Sequence, residues 1–419
     1  MVKEMKETEI GVIPSDWDIL KLGDNCHIYR GGSPRPIQDY LTTADNGINW
    51  IKIGDVKAGD KYITSTEEKI IPEGVSMSRE VKAGDFILSN SMSFGRPYIL
   101  KINGCIHDGW LVIQDYQSSF DANYLYYLLS SEAVFAQYKK LAAGSGVQNL
   151  NKDIVTEVIL PHPEKKEQII IANALSSIDE LINVLEKEIE KKKNIKFGVL
   201  QKYLSGEERL PGFTSKWDVK SIDELCVLVT KQTGFDYSAE IKPSLVQVNY
   251  NSTLPFIQNK DFEGYYINFD TDFYIPVSVA YKYPKILLDE VCLLISISGR
   301  IGNVALFNND RTAFVGGAVG VAKFKNPDLV EWAMLYLLSP NGQKMIFENE
   351  KAGAQHNLTV EDVRNFLIPI PEKDERIAIT SMMADIEKDI CQLEEKLDKY
   401  KSLKTGMMND LLTGKIRLV

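Results

Sequence analysis

The chain has 419 residues, which exceeds the needs of one ordinary core and suits two domains of moderate size with connecting elements. Its 44% hydrophobic and 25% charged residues are typical of a folded soluble protein and exclude a disordered or fibrous class. The net charge of -10 argues against a uniformly basic nucleic-acid binder. Any DNA contact must therefore use local basic patches or a positive surface supplied by partners.

The sequence offers no pattern for a membrane span, a disulfide framework or a metal site. No apolar run reaches the roughly 18 residues that cross a bilayer, and the charged residues 1–9 do not resemble a signal peptide. We therefore expect a cytoplasmic protein without membrane contact. The cysteines stand singly and are predicted to be small buried residues: Cys26, Cys105, Cys226, Cys292 and Cys391. The histidines show no metal-ligand spacing, so we expect no metal: His27, His107, His162 and His356.

The first part of the chain predicts an α+β domain. Residues 48–53 and 85–89 are short runs rich in β-branched and aromatic side chains, and glycine-containing turns separate such runs. Residues 124–140 then predict a closing helix. Runs of strands followed by a helix are typical of the α+β class.

Polar loops in this domain combine hydrogen-bond donors with glycine, at residues 29–35, 91–96 and 144–150. Arginine and glutamine can pair bidentately with guanine or adenine edges, whereas serine and lysine mostly hold phosphate. The alternative is an ordinary surface turn with a solvated side chain. The candidate DNA-binding residues here are Arg30, Ser33, Arg35, Ser91, Ser93, Arg96 and Gln148.

A long amphipathic helix is predicted next. Apolar residues alternate in steps of four and three, which is a heptad seam: Ile171, Leu175, Ile178, Ile182, Leu185 and Ile189. Prolines precede the helix, and Gly206 fits a helix stop. About 40 residues at 1.5 Å each make a helix of roughly 60 Å.

A second α+β domain follows, with strand-like residues 254–257, 291–296 and 320–324 and helix-like residues 329–348. Its candidate DNA-binding residues lie in polar, glycine-bearing loops: Lys231, Gln232, Ser298, Arg300, Gln355 and His356. Thr359 is predicted to cap a short helix, with an acidic residue three positions on.

The last segment repeats the first long helix. Residues 161–210 align without a gap on residues 369–418, at an offset of 208, so Gly414 fits a helix stop as Gly206 does. The second seam is Ile379, Met383, Ile386, Ile390, Leu393 and Leu397. Beyond Ile189 the seam meets Lys192 and Lys196, and the second copy has Tyr400 and Lys404 there. The two helices either pair with each other, antiparallel, or meet helices of other subunits. Equal length and shared spacing favour self-pairing.

The chain therefore consists of four successive segments, which are variable, constant, variable and constant between the two halves of the repeat. The starts of the halves also match, since Trp17-Asp18 corresponds to Trp217-Asp218, whereas residues 22–120 and 222–325 share little beyond strand-like texture. Duplicated flanks around divergent middles suggest one scaffold with two different recognition surfaces. A duplicated structural protein is the plainer alternative.

This layout, with Pro-x-Pro and Glu167-Gln168 leading into a heptad helix that ends in Leu204-Ser205-Gly206, resembles the specificity subunits of Type I restriction-modification systems. The second copy departs from it by Arg376 in place of Gln168. The resemblance implies two target recognition domains at residues 1–160 and 211–368, and constant coiled-coil helices at residues 161–210 and 369–419. In this architecture the helices are antiparallel and related by a pseudo-twofold repeat.

The resemblance also implies the function and the partners. Each recognition domain would read one half of a bipartite, asymmetric site in double-stranded DNA, and the helices would set the spacing. The helices would also dock two modification subunits, which methylate adenine with S-adenosylmethionine, and restriction subunits would add translocation and cleavage. The chain itself would have no catalytic residue and no cofactor.

Two other functions compete with this one. A DNA adenine methyltransferase with a built-in recognition domain would use the glycine-rich residues 314–320 and the Asn-Pro pair in residues 326–329. No phosphate-binding helix is predicted after those glycines, and the Asn-Pro pair lacks the second proline and the aromatic residue that would hold a flipped base. A scaffold whose domains bind proteins instead of DNA is the other alternative.

Overall fold

A computed structural model of the chain describes residues 4–57, 59–90, 95–145, 149–308, 310–348 and 357–418. The chain divides into two compact units. Unit 1 comprises residues 1–185 and 396–419, and unit 2 comprises residues 186–395. Both boundaries fall inside the predicted constant helices, so each unit contains one of the two predicted α+β domains and part of both helices.

Unit 1 begins with a strand-rich domain. Its strands are β1 (Met5–Thr8), β2 (Gly11–Pro14), β3 (Asp18–Lys21), β4 (His27–Arg30), β5 (Leu41–Thr42), β6 (Ile48–Ile51), β7 (Tyr62–Ile63), β8 (Glu68–Ile70), β9 (Arg79–Val81), β10 (Phe86–Ser89), β11 (Pro97–Leu100), β12 (Gly104–Ile106), β13 (Trp110–Gln114) and β14 (Ile159–His162). The helices that follow are α1 (Ala122–Leu129), α2 (Glu132–Ser145), α3 (Lys152–Thr156) and the long α4 (Lys165–Tyr203).

Unit 2 repeats this plan. Its strands are β15 (Asp218–Ser221), β16 (Cys226–Lys231), β17 (Thr253–Ile257), β18 (Phe262–Glu263), β19 (Tyr266–Ile267), β20 (Tyr274–Pro276), β21 (Leu287–Leu288), β22 (Cys292–Ser296), β23 (Val304–Phe307), β24 (Ala313–Val315), β25 (Val319–Phe324) and β26 (Leu367–Ile370). Its helices are α5 (Ile222–Leu225), α6 (Gly234–Asp236), α7 (Lys242–Ser244), α8 (Val277–Ala280), α9 (Val330–Leu338), α10 (Pro340–Glu348), α11 (Val360–Arg364) and the long α12 (Lys373–Leu411).

Four strands of each sheet follow the same order in the described parts of the two units, and each unit 1 sheet has one further edge strand, although the two sequences share little. The described part of unit 1 has a sheet ordered β4-β13-β10-β11-β7 and another ordered β5-β8-β6-β12-β9. The corresponding sheets of unit 2 are β16-β25-β22-β23 and β20-β17-β24-β21. Register agrees as well, because Arg30 lies opposite Leu111 and Lys231 lies opposite Gly320. The α+β class and the repeated architecture are confirmed.

The predicted closing helices are each broken in two, contrary to the sequence analysis. In unit 1, the Ser131 hydroxyl donates to the Leu128 carbonyl at 2.6 Å and accepts from the Val134 amide at 3.3 Å, which ends α1 and starts α2. In unit 2, the Ser339 hydroxyl does the same between α9 and α10, where Pro340 also prevents a continuous helix. Helix α2 extends through residues 144 and 145, which were predicted to be loop.

Both long helices have the length that the heptad pattern predicted, 39 residues each. All six seam residues of α4 are buried. In α12, Ile379, Met383 and Ile390 are buried, whereas Ile386, Leu393 and Leu397 are half-buried. The stop signals are confirmed, since Gly206 and Gly414 have φ of 73° and 70°, a left-handed conformation that favours glycine.

Within each unit the two long helices run antiparallel, as predicted for self-pairing. In unit 1, the Lys404 Nζ lies 2.6 Å from the Asp179 carboxylate. In unit 2, Lys192 pairs with Asp389 at 2.6 Å and Lys196 pairs with Glu387 at 2.7 Å. Residue numbers rise along α4 as they fall along α12, which defines the antiparallel direction.

The apolar start of α4 has a structural explanation. By length and composition alone, this helix could cross a membrane, contrary to the expectation that no such segment exists. Ile171, Ala172 and Leu175 are nevertheless fully buried in the core of unit 1, against the strands and α1. Packing inside unit 1 accounts for part of this composition, whereas Leu181 and Val184 of the same helix are exposed.

The cysteine prediction is confirmed for four residues and wrong for one. Cys26, Cys105, Cys226 and Cys292 are buried, and burial raises the pKa of the Cys105 thiol to about 11. Cys391 is exposed because it lies on α12 outside the seam positions.

Candidate nucleic-acid interface

Three candidate residues of unit 1 meet at one residue that the sequence analysis did not single out, Asp108. The Ser33 hydroxyl donates to Asp108 Oδ1 at 2.9 Å, and Arg35 Nη2 donates to Oδ2 at 3.1 Å. Arg30 Nε donates to the Asp108 carbonyl at 3.2 Å, and so does Asn90 Nδ2 at 2.9 Å. The turn between β12 and β13 therefore holds two arginines at the end of β4.

The electrostatics of this cluster keep Asp108 ionised. Burial pushes the pKa of the Asp108 carboxyl up, but the hydrogen bond from Ser33 and the charges of His107 and Arg35 outweigh burial, so its pKa lies below the ordinary value. Arg30 and Arg35 are exposed, and the remaining guanidinium nitrogens have no partner among the described residues. Each guanidinium group is therefore fixed by one nitrogen, and its other nitrogens are available for a bidentate contact with guanine.

A further cation lies beside this cluster. Arg79, at the start of β9, places its guanidinium 4.8 Å from the centre of the Tyr29 ring on β4. Both residues are exposed. Sequence reasoning missed Arg79 and Asp108 because their partners lie far away in the chain and no local motif marks them.

The corresponding edge of unit 2 carries different chemistry. Lys231 is exposed at the end of β16. Gln232 is only 3% exposed, and its amide nitrogen and oxygen have no hydrogen-bond partner within the described residues. The candidate Gln232 is thus buried and is not a surface contact, because the strand end turns its side chain under the loop that contains Gly317. The approach is close enough that a methyl group added at Gly317 would lie 3.2 Å from Gln232 Oε1.

The loop after β22 supplies the other candidates of unit 2. The Ser298 carbonyl accepts from Asn259 Nδ2 at 2.7 Å, and Ser298 also forms a β-bridge with Asn357. Arg300 is exposed directly after Gly299, whose φ of 78° makes the turn possible. Because the Ile297 amide donates to the Ala318 carbonyl at 2.9 Å, this loop lies beside the end of β25 that also adjoins Lys231.

The structure does not place every candidate. Arg96 is described and exposed. Ser91, Ser93, Gln148, Gln355 and His356 lie outside the described residues. The predicted Thr359 cap is confirmed: its hydroxyl accepts from the Asp362 amide at 3.1 Å, and the Asp362 carboxylate accepts from the Thr359 amide at 2.7 Å.

The features that suggested an enzyme have structural roles. Residues 316–318 form a turn between β24 and β25, with no helix following it. Asn326 caps a single turn of helix before α9, since its side-chain oxygen accepts from the Asp328 amide at 3.1 Å. Neither feature matches a nucleotide-cradling loop or a flipped-base pocket.

Comparison with known proteins agrees with this arrangement of two similar units. The family described as Type I restriction modification DNA specificity domain matches residues 14–194 and again residues 214–400. The chain belongs to this family. The two matches cover both halves of the internal repeat.

Relatives of similar length come from Methanocaldococcus jannaschii. The chain is 24% identical to the Type I restriction enzyme MjaVIII specificity subunit, over 97% of this chain and 94% of the relative. It is 26% identical to the putative type I restriction enzyme MjaX specificity subunit, over 99% and 97%.

Solved structures share the fold. A chain from a structural study of complex assembly and conformational transition of the type I R-M system matches with a TM-score of 0.60 at 16% identity, covering 96% of this chain and 99% of that one. The S subunit of a Type I restriction-modification system from M. genitalium matches with a TM-score of 0.57 at 15% identity, covering 98% and 99%. At these identities the likeness concerns the fold alone.

Proposed function

We propose that the chain is the DNA-specificity subunit of a Type I restriction-modification complex, acting in the cytoplasm. Residues 1–160 and 211–368 form two target recognition domains, and each reads one half of a bipartite, asymmetric site in double-stranded DNA. Residues 161–210 and 369–419 form the constant helices. Family membership over both halves of the repeat supports this assignment.

The observation that carries the proposal is the chemistry at corresponding strand ends. Strands β4 and β16 occupy the same place in their sheets, yet β4 leads into an arginine cluster on Asp108, whereas the loop with Ser298 and Arg300 lies beside the strand that pairs with the end of β16. Base edges are distinguished by the hydrogen-bonding groups that face them. One scaffold with two different edges is therefore suited to two different half-sites.

The constant helices serve as spacer and docking element in this proposal. Their seams pair within each unit, and other positions of the two helices, such as Leu181, Val184 and Leu403, stay exposed. Two modification subunits would dock there and supply methyl transfer, and restriction subunits would join that assembly. The specificity subunit needs no cofactor and no metal of its own.

The absence of catalysis is testable by calorimetry. The purified chain should bind neither S-adenosylmethionine nor ATP, because the turn at residues 316–318 leads into a strand instead of the helix N-terminus that cradles phosphate. Stoichiometric binding of either molecule, or methyl transfer by the chain alone, would favour the methyltransferase alternative.

Domain replacement tests the division of labour. Residues 22–145 are exchanged for the corresponding segment of another family member, and the hybrid is assembled with its modification subunits. The methylated sequence should change in one half-site only, because unit 2 is untouched. The reciprocal exchange in unit 2 is the matched control, and a change in both half-sites from either exchange would contradict independent reading.

A further inference from the structure

A cavity of about 220 Å³ lies beside the end of β16 in unit 2. Its walls come from two segments, the strand end with the start of α6, and the turn between α8 and β21. The lining includes Lys231, Thr233, Asp236, Lys282 and Lys285. Three lysines around one small cavity are notable in a chain whose net charge is -10.

Two of these lysines are free to take a ligand. The side-chain ammonium groups of Lys231 and Lys285 form no hydrogen bond or ion pair within the described residues. Lys282 is already paired, since its Nζ lies 3.1 Å from the Glu240 carboxylate. Asp236 is the acidic residue of the lining, and its carboxylate accepts from the Thr233 hydroxyl at the start of α6. The cavity therefore keeps two unpaired positive charges.

The cavity adjoins the candidate base-reading edge. Lys231 lies opposite Gly320 on β25, and the next strand of that sheet, β22, runs into the loop with Ser298 and Arg300. A ligand held by Lys231 would thus sit next to the loops that differ between the two units. A site at this position suits a phosphate group of the DNA backbone, because backbone phosphates flank the bases along a duplex.

Unit 1 places a cation at the equivalent position. Strand β9 pairs with β12 as β21 pairs with β24, antiparallel in both cases. Arg79 opens β9 and lies over Tyr29 on β4. Lys285 precedes β21 by two residues and lines the same cavity as Lys231 at the end of β16. Both units therefore bring a positive charge from the same element to the same edge strand, although the sequences differ.

We propose that Lys231 and Lys285 bind a phosphodiester group of the DNA backbone and anchor unit 2 beside its half-site without reading a base. This inference rests on the proposed DNA-recognition function and adds to it a phosphate site. Lysine ammonium groups act as point charges towards phosphate, and contacts of this kind position a protein on DNA while carrying no sequence information. Local positive charge of this kind would contribute to DNA binding by a chain whose net charge is -10.

The test measures salt dependence in the intact assembly. The full chain, assembled with its modification subunits, carries Lys231→Gln and Lys285→Gln, and its affinity is measured on the site-bearing duplex and on a scrambled duplex between about 50 and 200 mM salt. Losing two phosphate contacts should lower the slope of log affinity against log salt by about two, so affinity should fall about tenfold less across this range. Both duplexes should lose low-salt affinity by the same factor, leaving the methylated sequence unchanged.

Matched variants separate this site from general charge. Lys216→Gln with Lys220→Gln removes two exposed lysines of the same unit and should leave the slope near that of the unaltered protein, and Lys231→Arg with Lys285→Arg should retain it. An unchanged slope in the Lys231/Lys285 glutamine variant, with specific binding intact, would overturn the anchor alone. A changed half-site would instead show base reading, and would also overturn it.

Two further measurements distinguish DNA phosphate from free phosphate, and failure of the phosphate site from failure of the proposed function. Inorganic phosphate titrated into the DNA-free assembly should not saturate below the millimolar range; tight phosphate binding with an unchanged DNA slope would assign the cavity to a free anion and reject the proposal. If the unaltered assembly showed no preference for any duplex sequence, the proposed function itself would fail, which is distinct from failure of the anchor.

Discussion

Arg417 and Glu167 lie 250 residues apart in the sequence and form a bidentate ion pair in unit 1. Arg417 Nε donates to Glu167 Oε1 at 2.7 Å and Nη2 donates to Oε2 at 2.5 Å. The Trp17 indole nitrogen donates to the same carboxylate at 3.0 Å. The last constant segment is thereby joined to the start of the first, within one compact unit.

Unit 2 contains the same arrangement at equivalent positions. Arg209 donates to both oxygens of Glu375 at 2.7 and 2.5 Å, and the Trp217 indole nitrogen donates to Glu375 at 2.9 Å. Glu167 and Glu375 each precede Gln168 or Arg376 in the duplicated motif. The motif that carries the family resemblance therefore has a structural role, which is to hold each recognition domain on the ends of the two helices.

The Arg417→Ala substitution should destabilise unit 1. It leaves the buried Glu167 carboxylate without its cation, which costs about 3 kcal/mol of unfolding free energy. Urea unfolding measures the change. The double variant Arg417→Met with Glu167→Met should lose less than Arg417→Ala, since no buried charge remains, and an unaltered unfolding midpoint for Arg417→Ala would show that the ion pair contributes nothing.

The ion pair between Arg209 and Glu375 in unit 2 should make the free energy of unfolding depend on pH. Burial raises the pKa of Glu375, but hydrogen bonds from Arg209 and Trp217 outweigh burial, so its pKa in the folded protein is below the ordinary 4.5. A depressed carboxylate pKa gives stability that is present above about pH 4.5 and is lost as pH falls through the folded-state pKa. Glu375→Gln should therefore cost about 2 kcal/mol at neutral pH and progressively less in acid.

Chemical unfolding at a series of pH values checks this. Glu263→Gln, which removes an exposed carboxylate of the same unit, is the control and should shift stability little at any pH. A constant difference between Glu375→Gln and the unaltered chain from neutral pH down into acid would argue against the depressed pKa.

Much of the architecture was predictable from the sequence because it depends on period and duplication. The seam residues follow from spacing and the stop glycines from residue type, and the Thr359 cap follows from one residue type and its partner three positions later. Equal helix length favoured antiparallel self-pairing but left pairing with other subunits open. The break at Ser131 was not predictable, since a serine in an apolar helical stretch is compatible with either outcome until its hydroxyl has a partner. The break at Ser339 could have been predicted from Pro340, which directly follows it.

The candidate site was only partly predictable. Residue types in the loops pointed to Arg30, Ser33 and Arg35, but their common partner Asp108 lies 73 to 78 residues away. Gln232 was expected at the surface and is buried. The sequence shows which residue types a loop contains. Whether a side chain at a strand end is exposed or buried depends on tertiary packing.

Charged pairs across the helices should fix their register. Lys196 and Glu387 occupy half-buried positions in unit 2, with 28% and 21% of their side chains exposed, and Lys404 and Asp179 are their equivalents in unit 1. Lys196→Glu should place two acids together and lower stability by roughly 1 kcal/mol. The exchange Lys196→Glu with Glu387→Lys should recover most of the loss in a double-mutant cycle, whereas equal losses in single and double variants would exclude a direct interaction.

The helix length should determine the spacer. Adding about four residues, near one helical turn of 5.4 Å, after Leu185 and also after Leu393 keeps both seams in partial register. Because B-DNA rises about 3.4 Å per base pair, the unread spacer should lengthen by about one or two base pairs while both half-sites stay the same. Insertion in one helix alone is the control and should destabilise the pair by offsetting its apolar stripe.

Mapping the methylated adenines of the double-insertion variant measures its spacer length. A longer spacer between unchanged half-sites would support the helices as the ruler. Full activity with the original spacer would show that another part of the assembly sets the distance.

Genome-wide mapping of methylated adenine, in cells with and without this chain, tests the central claim most directly. A specificity subunit supplies the sequence preference for modification subunits that stay present in both strains. We expect one bipartite, asymmetric motif to lose its methylation when the chain is removed and to regain it when the chain is restored. An identical set of methylated adenines in both strains would contradict it.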